Sequence, residues 1–301
     1  MRSKLSIWFG AGLAVGAASL LVSIWLTDAV PRFSGEGANL QGGDAARGKL
    51  VFTAADCSSC HATPGQTDPL KLGGGLALAS PFGTFRVPNI SPDRADGIGS
   101  WTVAEFANAL IAGVSPTEQH YYPAFPYTSY TGMSLNDIQD LYAYLRILPA
   151  VSGKPPPHDL PLLFRLRRAI GFWKLLFFEE GKAEAVTAQD RGAYLTETLG
   201  HCAECHSTRN MLGAIKPETR FAGGVDPEGA GFVPNITAVG IGDWTEADIA
   251  DMLKTGETPF NGRVGSSMAD VVINAAQLPQ SDRDAIARYV KSLPPRPTPH
   301  P

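Results

Sequence analysis

All four cysteines of this 301-residue chain fall in two copies of one five-residue word. The first copy is Cys57-Ser58-Ser59-Cys60-His61 and the second is Cys202-Ala203-Glu204-Cys205-His206. C-x-x-C-H is the attachment signature of c-type haem. Each thiol adds across a porphyrin vinyl group, and the two-residue gap puts both sulfurs on one edge of the ring. The histidine that follows is aimed at the iron. With no cysteine left over, the chain reads as carrying two covalently bound haem c groups. Cys57, Cys60 and His61 hold one, and Cys202, Cys205 and His206 hold the other. A shared structural zinc needs its cysteine pairs close together, and these lie about 145 residues apart. A thioredoxin-like pair needs a βαβ frame, and no β-branched strand runs flank either word. With every thiol tied to haem, no disulfide is expected.

The length suits two domains. The net charge is −4, and haem propionates make the holoprotein more acidic. No basic run alternates with aromatics, so a nucleic-acid partner is excluded. Gly 32 and Pro 24 are high for a helical chain and fit short helices joined by long haem-wrapping loops. From Leu5 to Thr27 there is no charged residue, with Arg2 and Lys4 before the run and Asp28 after it. Such a run is long enough to span a bilayer as a helix, and its positive flank places the rest of the chain outside the cytoplasm. The alternative is a cleaved signal peptide, whose apolar core is normally shorter and ends in small residues. Trp8 and Trp25 stand near the ends as interfacial anchors. The expectation is therefore a bacterial inner-membrane protein with a single N-terminal transmembrane helix and periplasmic haem domains.

The two haem words head two copies of one pattern. Before them lie Arg47-Gly48-Lys49-Leu50-Val51-Phe52 and Arg191-Gly192-Ala193-Tyr194-Leu195. After them come Val87-Pro88-Asn89-Ile90 and Val233-Pro234-Asn235-Ile236. Thr102 with Glu105, and Thr245 with Asp248, have capping-box spacing and predict helices. Ser134 and Ser281 are expected to open the last helix of each copy, before Pro149 and Pro294. The fold class predicted is mainly α, with two tandem cytochrome c domains after the N-terminal transmembrane helix. The boundaries are 1–28 for the anchor or signal, 29–43 for a linker and 44–150 for the first domain. An interdomain linker follows at 151–186, then the second domain at 187–295 and a Pro-rich tail at 296–301. Within the linker, Leu162 to Phe178 is apolar but studded with cations. It is either a helix that packs the domains together or a docking surface for a partner or the membrane face.

A sixth ligand decides whether a haem iron is closed, and thioether sulfur is the usual choice in electron carriers. Met133 and Met268 sit in loops upstream of the last helix of each copy, which suits the distal side. The iron ligand pairs expected are His61 with Met133 and His206 with Met268. Met211 follows His206 too closely, and Met252 falls on an apolar helix face. His120 is the rival ligand in the first copy. Asn89 and Asn235 either contact a propionate, hold the methionine loop or make turns. Trp101 and Trp244 are expected in the core, and the aromatic loop from Tyr121 to Tyr127 is expected to wall the first distal side.

The words PFGTFRVPNISPD, GIGSWTVAEFANAL, HYYPAFPYTSYTGMS and LYAYLRILP resemble the cytochrome c subunit of membrane-bound quinoprotein alcohol dehydrogenases. That family also serves related flavin and molybdenum dehydrogenases. The resemblance covers most of residues 44–295. It implies His/Met ligation of each haem, here His61 with Met133 and His206 with Met268. It also implies electron transfer from a periplasmic dehydrogenase catalytic subunit to quinone or a downstream cytochrome or oxidase. The familiar subunit has three haem domains and this chain two, which bears on the acceptor. No catalytic residue is assigned. The rival readings are a free-standing shuttle between a quinol-oxidising complex and a terminal oxidase, and a haem enzyme of peroxidase or thiosulfate dehydrogenase type.

Overall fold

Two Arg-Gly pairs decide where the helices cross. The computed structural model describes residues 16, 18–19, 21–34, 40, 42–181, 187, 190–226 and 231–299. In chain order the described helices are α1 (Ala45–Ala54), α2 (Cys57–His61), α3 (Val103–Ala112), α4 (Tyr127–Tyr130), α5 (Leu135–Leu145), α6 (Ala169–Phe177), α7 (Arg191–Ala193), α8 (Ala238–Ile241), α9 (Glu246–Thr255), α10 (Ser267–Ala275) and α11 (Gln280–Ser292). In the first copy Arg47 reaches from α1 to α5, where Nε and Nη2 donate to the Asp140 carboxylate at 2.7 and 3.1 Å. The next residue, Gly48, lies where a β-carbon would run into the Asp140 carbonyl. In the second copy Arg191 makes the same paired contact with Asp282 on α11, at 3.1 and 2.7 Å. Gly192 there abuts the Ala285 carbonyl. Each copy thus packs its first helix across its last at a residue without a side chain.

The helix starts follow the sequence signals. Thr102 with Glu105 and Thr245 with Asp248 form complete capping boxes at α3 and α9, and Ser134 caps α5 through Asp137 N. The exception is α11. It starts two residues early, after Pro279, and Ser281 makes no cap. Proline supplies the entry angle instead, with φ −53° and extended ψ. Two short antiparallel hairpins pair β1 (Ala77–Ser80) with β2 (Gly83–Arg86) and β3 (Gly224–Val225) with β4 (Phe232–Val233).

Apolar side chains gather in two large clusters, one per copy. The first surrounds Phe52, Leu110, Ile111, Met133, Ile138 and Leu145, and it also takes in Tyr194, Leu195, Leu199 and Leu278 from the second copy. The second centres on Phe221, Ile249, Leu253 and Val290. Between the copies, the linker turns its cations back onto the protein. Arg165 donates to Leu160 O, Arg167 to His120 O, Arg168 to Ile24 O, and Lys174 to Ala112 O and Gly113 O. Lys174 so occupies the C-terminal end of α3, where unsatisfied carbonyls collect. Leu162, Leu163, Leu175 and Leu176 stay exposed.

Among the described residues no helix is long and apolar enough to cross a membrane. The expected N-terminal transmembrane helix is corrected on that finding, and with it the inner-membrane placement of periplasmic haem domains. Residues 1–15, 17 and 20 lie outside the described residues. The helical stretch 21–26 keeps its side chains largely exposed. It ends at the buried Thr27, whose hydroxyl donates to Ser23 O at 2.7 Å and against which Gly171 of α6 packs.

Candidate functional site

Each haem word begins from one residue in the left-handed region, Asp56 at φ 51° and His201 at φ 36°. Asp and His tolerate that conformation better than most residues. The turn that follows is α2 in the first copy and the short 3-10 stretch Cys202–Glu204 in the second. In the first copy the turn holds both cysteines and the histidine, and in the second it ends just before Cys205 and His206. The four thiols make no disulfide. In the free thiols, before haem is attached, burial pushes Cys202 up to about 12 and Cys57 higher still.

The histidines are oriented the same way in both copies. His61 Nδ1 lies 2.9 Å from Pro88 O, and His206 Nδ1 lies 2.7 Å from Pro234 O. A carbonyl only accepts, so the proton sits on Nδ1 and the Nε2 lone pair is available for a metal. Burial drives the His61 ring down to about 4 against the opposing pull of the Pro88 carbonyl, and burial lowers His206 likewise. Both rings are therefore neutral near pH 7, the state a metal requires. The backbone closes around them, with Gly74 N on His61 O and Gly223 N on His206 O, each at 2.9 Å. Gly74 and Gly223 have φ +67° and +83°, and at each a β-carbon would meet the carbonyl run of the V-P-N word.

Each word shares an apolar cluster with one of the expected methionines. Cys57 packs against the cluster that encloses Met133, and Cys202 and Met268 pack against the other. Met133 follows α4, its N–H on Tyr130 O at 2.9 Å, and is fully buried. Met268 lies in the first turn of α10 and is half-buried. Met211 is 94 % exposed, which removes it as a ligand, and Met252 packs in the second cluster. His120 Nε2 is bound to Thr27 O at 3.0 Å. Paired thiols, a neutral imidazole with its outer nitrogen fixed and a thioether in the same apolar cluster are the donor set a covalent haem needs.

Comparison with known proteins decides the family. A cytochrome c family model matches residues 45–149. A dihaem c-type cytochrome of Cereibacter sphaeroides is 46% identical over 98% of this chain and 99% of its own length. This chain belongs to the dihaem c-type cytochromes. It carries two covalently bound haem c groups. It is also 38% identical to the cytochrome subunit of fructose dehydrogenase from Gluconobacter japonicus, over 82% of this chain and 52% of that one. A nicotinate dehydrogenase subunit from Pseudomonas putida is 36% identical over 97% of this chain and 25% of its own. The cytochrome thus spans the full length of the first relative, about half of the second and a quarter of the third.

Other features of this cytochrome are not local in sequence. Asn89 donates to Val151 O at 2.6 Å and Gly153 O at 3.1 Å, and its Oδ1 accepts from Ser91 N at 2.9 Å. Asn235 clasps Arg296 O and Thr298 Oγ1 in the same manner, at 2.9 and 3.0 Å. Both asparagines therefore clamp the chain that follows the last helix of their copy. Trp101 and Trp244 each pack, partly buried, against the edge of a cluster. The aromatic loop divides. Phe125 packs on Tyr130 and the Met133 cluster, while Tyr122 turns to His158 and Phe164 O, and Tyr127 to Phe178. Tyr194–Leu199, just before the second word, winds as a π turn. Its widened step sends Tyr194 Oη across to the Asp137 carboxylate at 2.6 Å.

Each word stands at the seam between the copies. Asn274 on α10 donates to Asp56 and Ser59 and accepts from Ser58 Oγ at 3.3 Å. Glu204 accepts from Thr128 and Ser129 on α4. The Tyr130 ring stands edge-on to His201, centroids 5.5 Å apart, and Tyr130 Oη donates to Ala55 O. Each copy's attachment word touches the other copy's methionine-bearing segment.

Proposed function

We propose that this chain is an electron-transfer protein that takes electrons from the catalytic subunit of a dehydrogenase and passes them to quinone or to a downstream cytochrome or oxidase. The observation that carries the reading is the pair of C-x-x-C-H words, each with a carbonyl-held histidine, beside one seam between the copies. Relatives that are named cytochrome subunits of fructose, gluconate and quinone-dependent alcohol dehydrogenases support the donor class. The two domains proposed are 44–150 and 187–295. Cys57 and Cys60 would anchor one haem, and Cys202 and Cys205 the other. His61 with Met133 and His206 with Met268 would supply the axial ligands.

Bound haem supplies one-electron chemistry at iron. The chain's part is to keep that change free of rearrangement. Pro88 O and Pro234 O hold the imidazoles in one tautomer and one orientation. The first apolar cluster shields the Met133 thioether from water, which favours the less charged reduced state. Because both imidazoles are neutral and both methionines uncharged, no protein proton has to move at a ligand.

The full-length match to a dihaem cytochrome not named as a subunit favours a second reading, a free-standing electron shuttle. Purifying the native protein gently and identifying bound chains by mass spectrometry separates the two. A co-purifying dehydrogenase whose substrate reduces both haems is the expected result. Isolation as a single chain, with reduction by quinol-oxidising components, moves the assignment to the shuttle.

A further inference from the structure

The contact made by Glu204 goes beyond holding its own haem word. This residue sits between Cys202 and Cys205, with its side chain only 12% exposed. From its own side Arg209 fixes it, Nη2 lying 2.6 Å from Oε2 and 2.9 Å from the Glu204 backbone carbonyl. The other oxygen, Oε1, points out of the second copy. It accepts from Thr128 Oγ1 at 3.0 Å and Ser129 Oγ at 3.4 Å. Both hydroxyls belong to α4, the single turn whose last residue, Tyr130, receives the Met133 N–H. A four-residue helix has little stability of its own, because nucleation is the costly part. The Thr128 hydroxyl bond to the partly buried carboxylate is the closer of the two contacts, and the Ser129 hydroxyl adds a longer one. The opposite end of the turn is tied through Tyr130 Oη to Ala55 O, 3.3 Å away and two residues before Cys57.

We propose that Glu204 is a positioning residue for the axial methionine of the first haem. The second attachment word holds the turn that delivers Met133, so ligation in one domain depends on a side chain of the other. The inference rests on Met133 being the sixth ligand proposed above.

The test uses the full-length holoprotein with two haems per chain, read by the red charge-transfer band of ferric His/Met haem and by carbon monoxide binding to the ferrous form. Met133→Ala identifies the first site's signals. If that variant leaves both readouts unchanged, the ligand reading itself fails. Glu204→Ala should weaken the first site's band and speed its carbon monoxide binding by about tenfold or more, the usual scale for an outer-sphere partner. The double variant Thr128→Val with Ser129→Ala leaves the second haem word intact and should reproduce that change while sparing the second site. It also stands in if Glu204→Ala fails to mature. If Met133→Ala opens the first site but the double variant leaves it closed, Glu204 does not position the ligand and the inference is overturned.

Discussion

Met133 in the first copy is enclosed completely, while Met268 in the second stands at the start of α10 with part of its surface open. The histidines of the two copies are held alike, each by a proline carbonyl at nearly the same distance. The copies thus share the setting of the histidine and differ in that of the methionine. The cause lies in how each core is completed. The first copy recruits Tyr194, Leu195, Leu199 and Leu278 from its neighbour, and the second has no comparable donor to its cluster among the described residues. A repeated motif secures a repeated chemistry, but its polarity and exposure come from what packs around it. Those are among the levers that set a haem's potential.

That contrast can be broken most directly at the methionines. Met133→Ala deletes a fully buried side chain and should cost about 3 kcal/mol of folding free energy besides opening its haem to carbon monoxide. Met268→Ala should open the other haem at a lower cost, below about 2 kcal/mol, because part of that side chain already faces water. Denaturant unfolding of both holoproteins checks this, and equal costs would remove the contrast.

A second difference lies one residue before each word, where the first copy has Asp56 and the second His201. Burial raises the Asp56 carboxyl from 3.8 to about 6, Asp270 adds to the rise, and bonds from Ser59 and Asn274 oppose it. The folded state therefore binds this proton more tightly than the unfolded chain. Its contribution is complete below the unfolded value and is lost as pH rises through about 6. The loss is on the order of 3 kcal/mol. Unfolding followed from about pH 4 to 7 should show that decline in the wild type and a flatter profile in Asp56→Asn. An identical slope in both would place the titration elsewhere.

The smallest effect tests likeness instead of difference. Thr102→Ala and Thr245→Ala each remove a complete capping box and should each cost about 1 kcal/mol. Equal losses in thermal unfolding would show the two helices to be equivalent in their copies, and a twofold disparity would not.

The attachment words, the repeat and the capping boxes were legible because each is a short-range pattern. The role of Pro88 and Pro234 was nearly legible. The V-P-N word recurs at matching distance from each histidine, which hinted at contact without revealing that the carbonyl makes it. The asparagine clamps were not, since Val151 and Arg296 lie some 60 residues away and nothing local announces them. Glu204 reads as a surface charge until Thr128 and Ser129 are seen against it. The unbroken apolar run from Leu5 pointed to a spanning helix because hydropathy scores residue types alone. Of its described part, Thr27 is buried with Gly171 of α6 against it, while Leu21, Val22, Trp25 and Leu26 are exposed.

Replacing a helical glycine by alanine is a common way to stiffen a protein, through helix propensity and a less disordered unfolded chain. At Gly48 and Gly192 that route is closed, because the added methyl group would have to displace the backbone of α5 or α11. Thermostabilising variants of this cytochrome will have to come from sites away from both crossings.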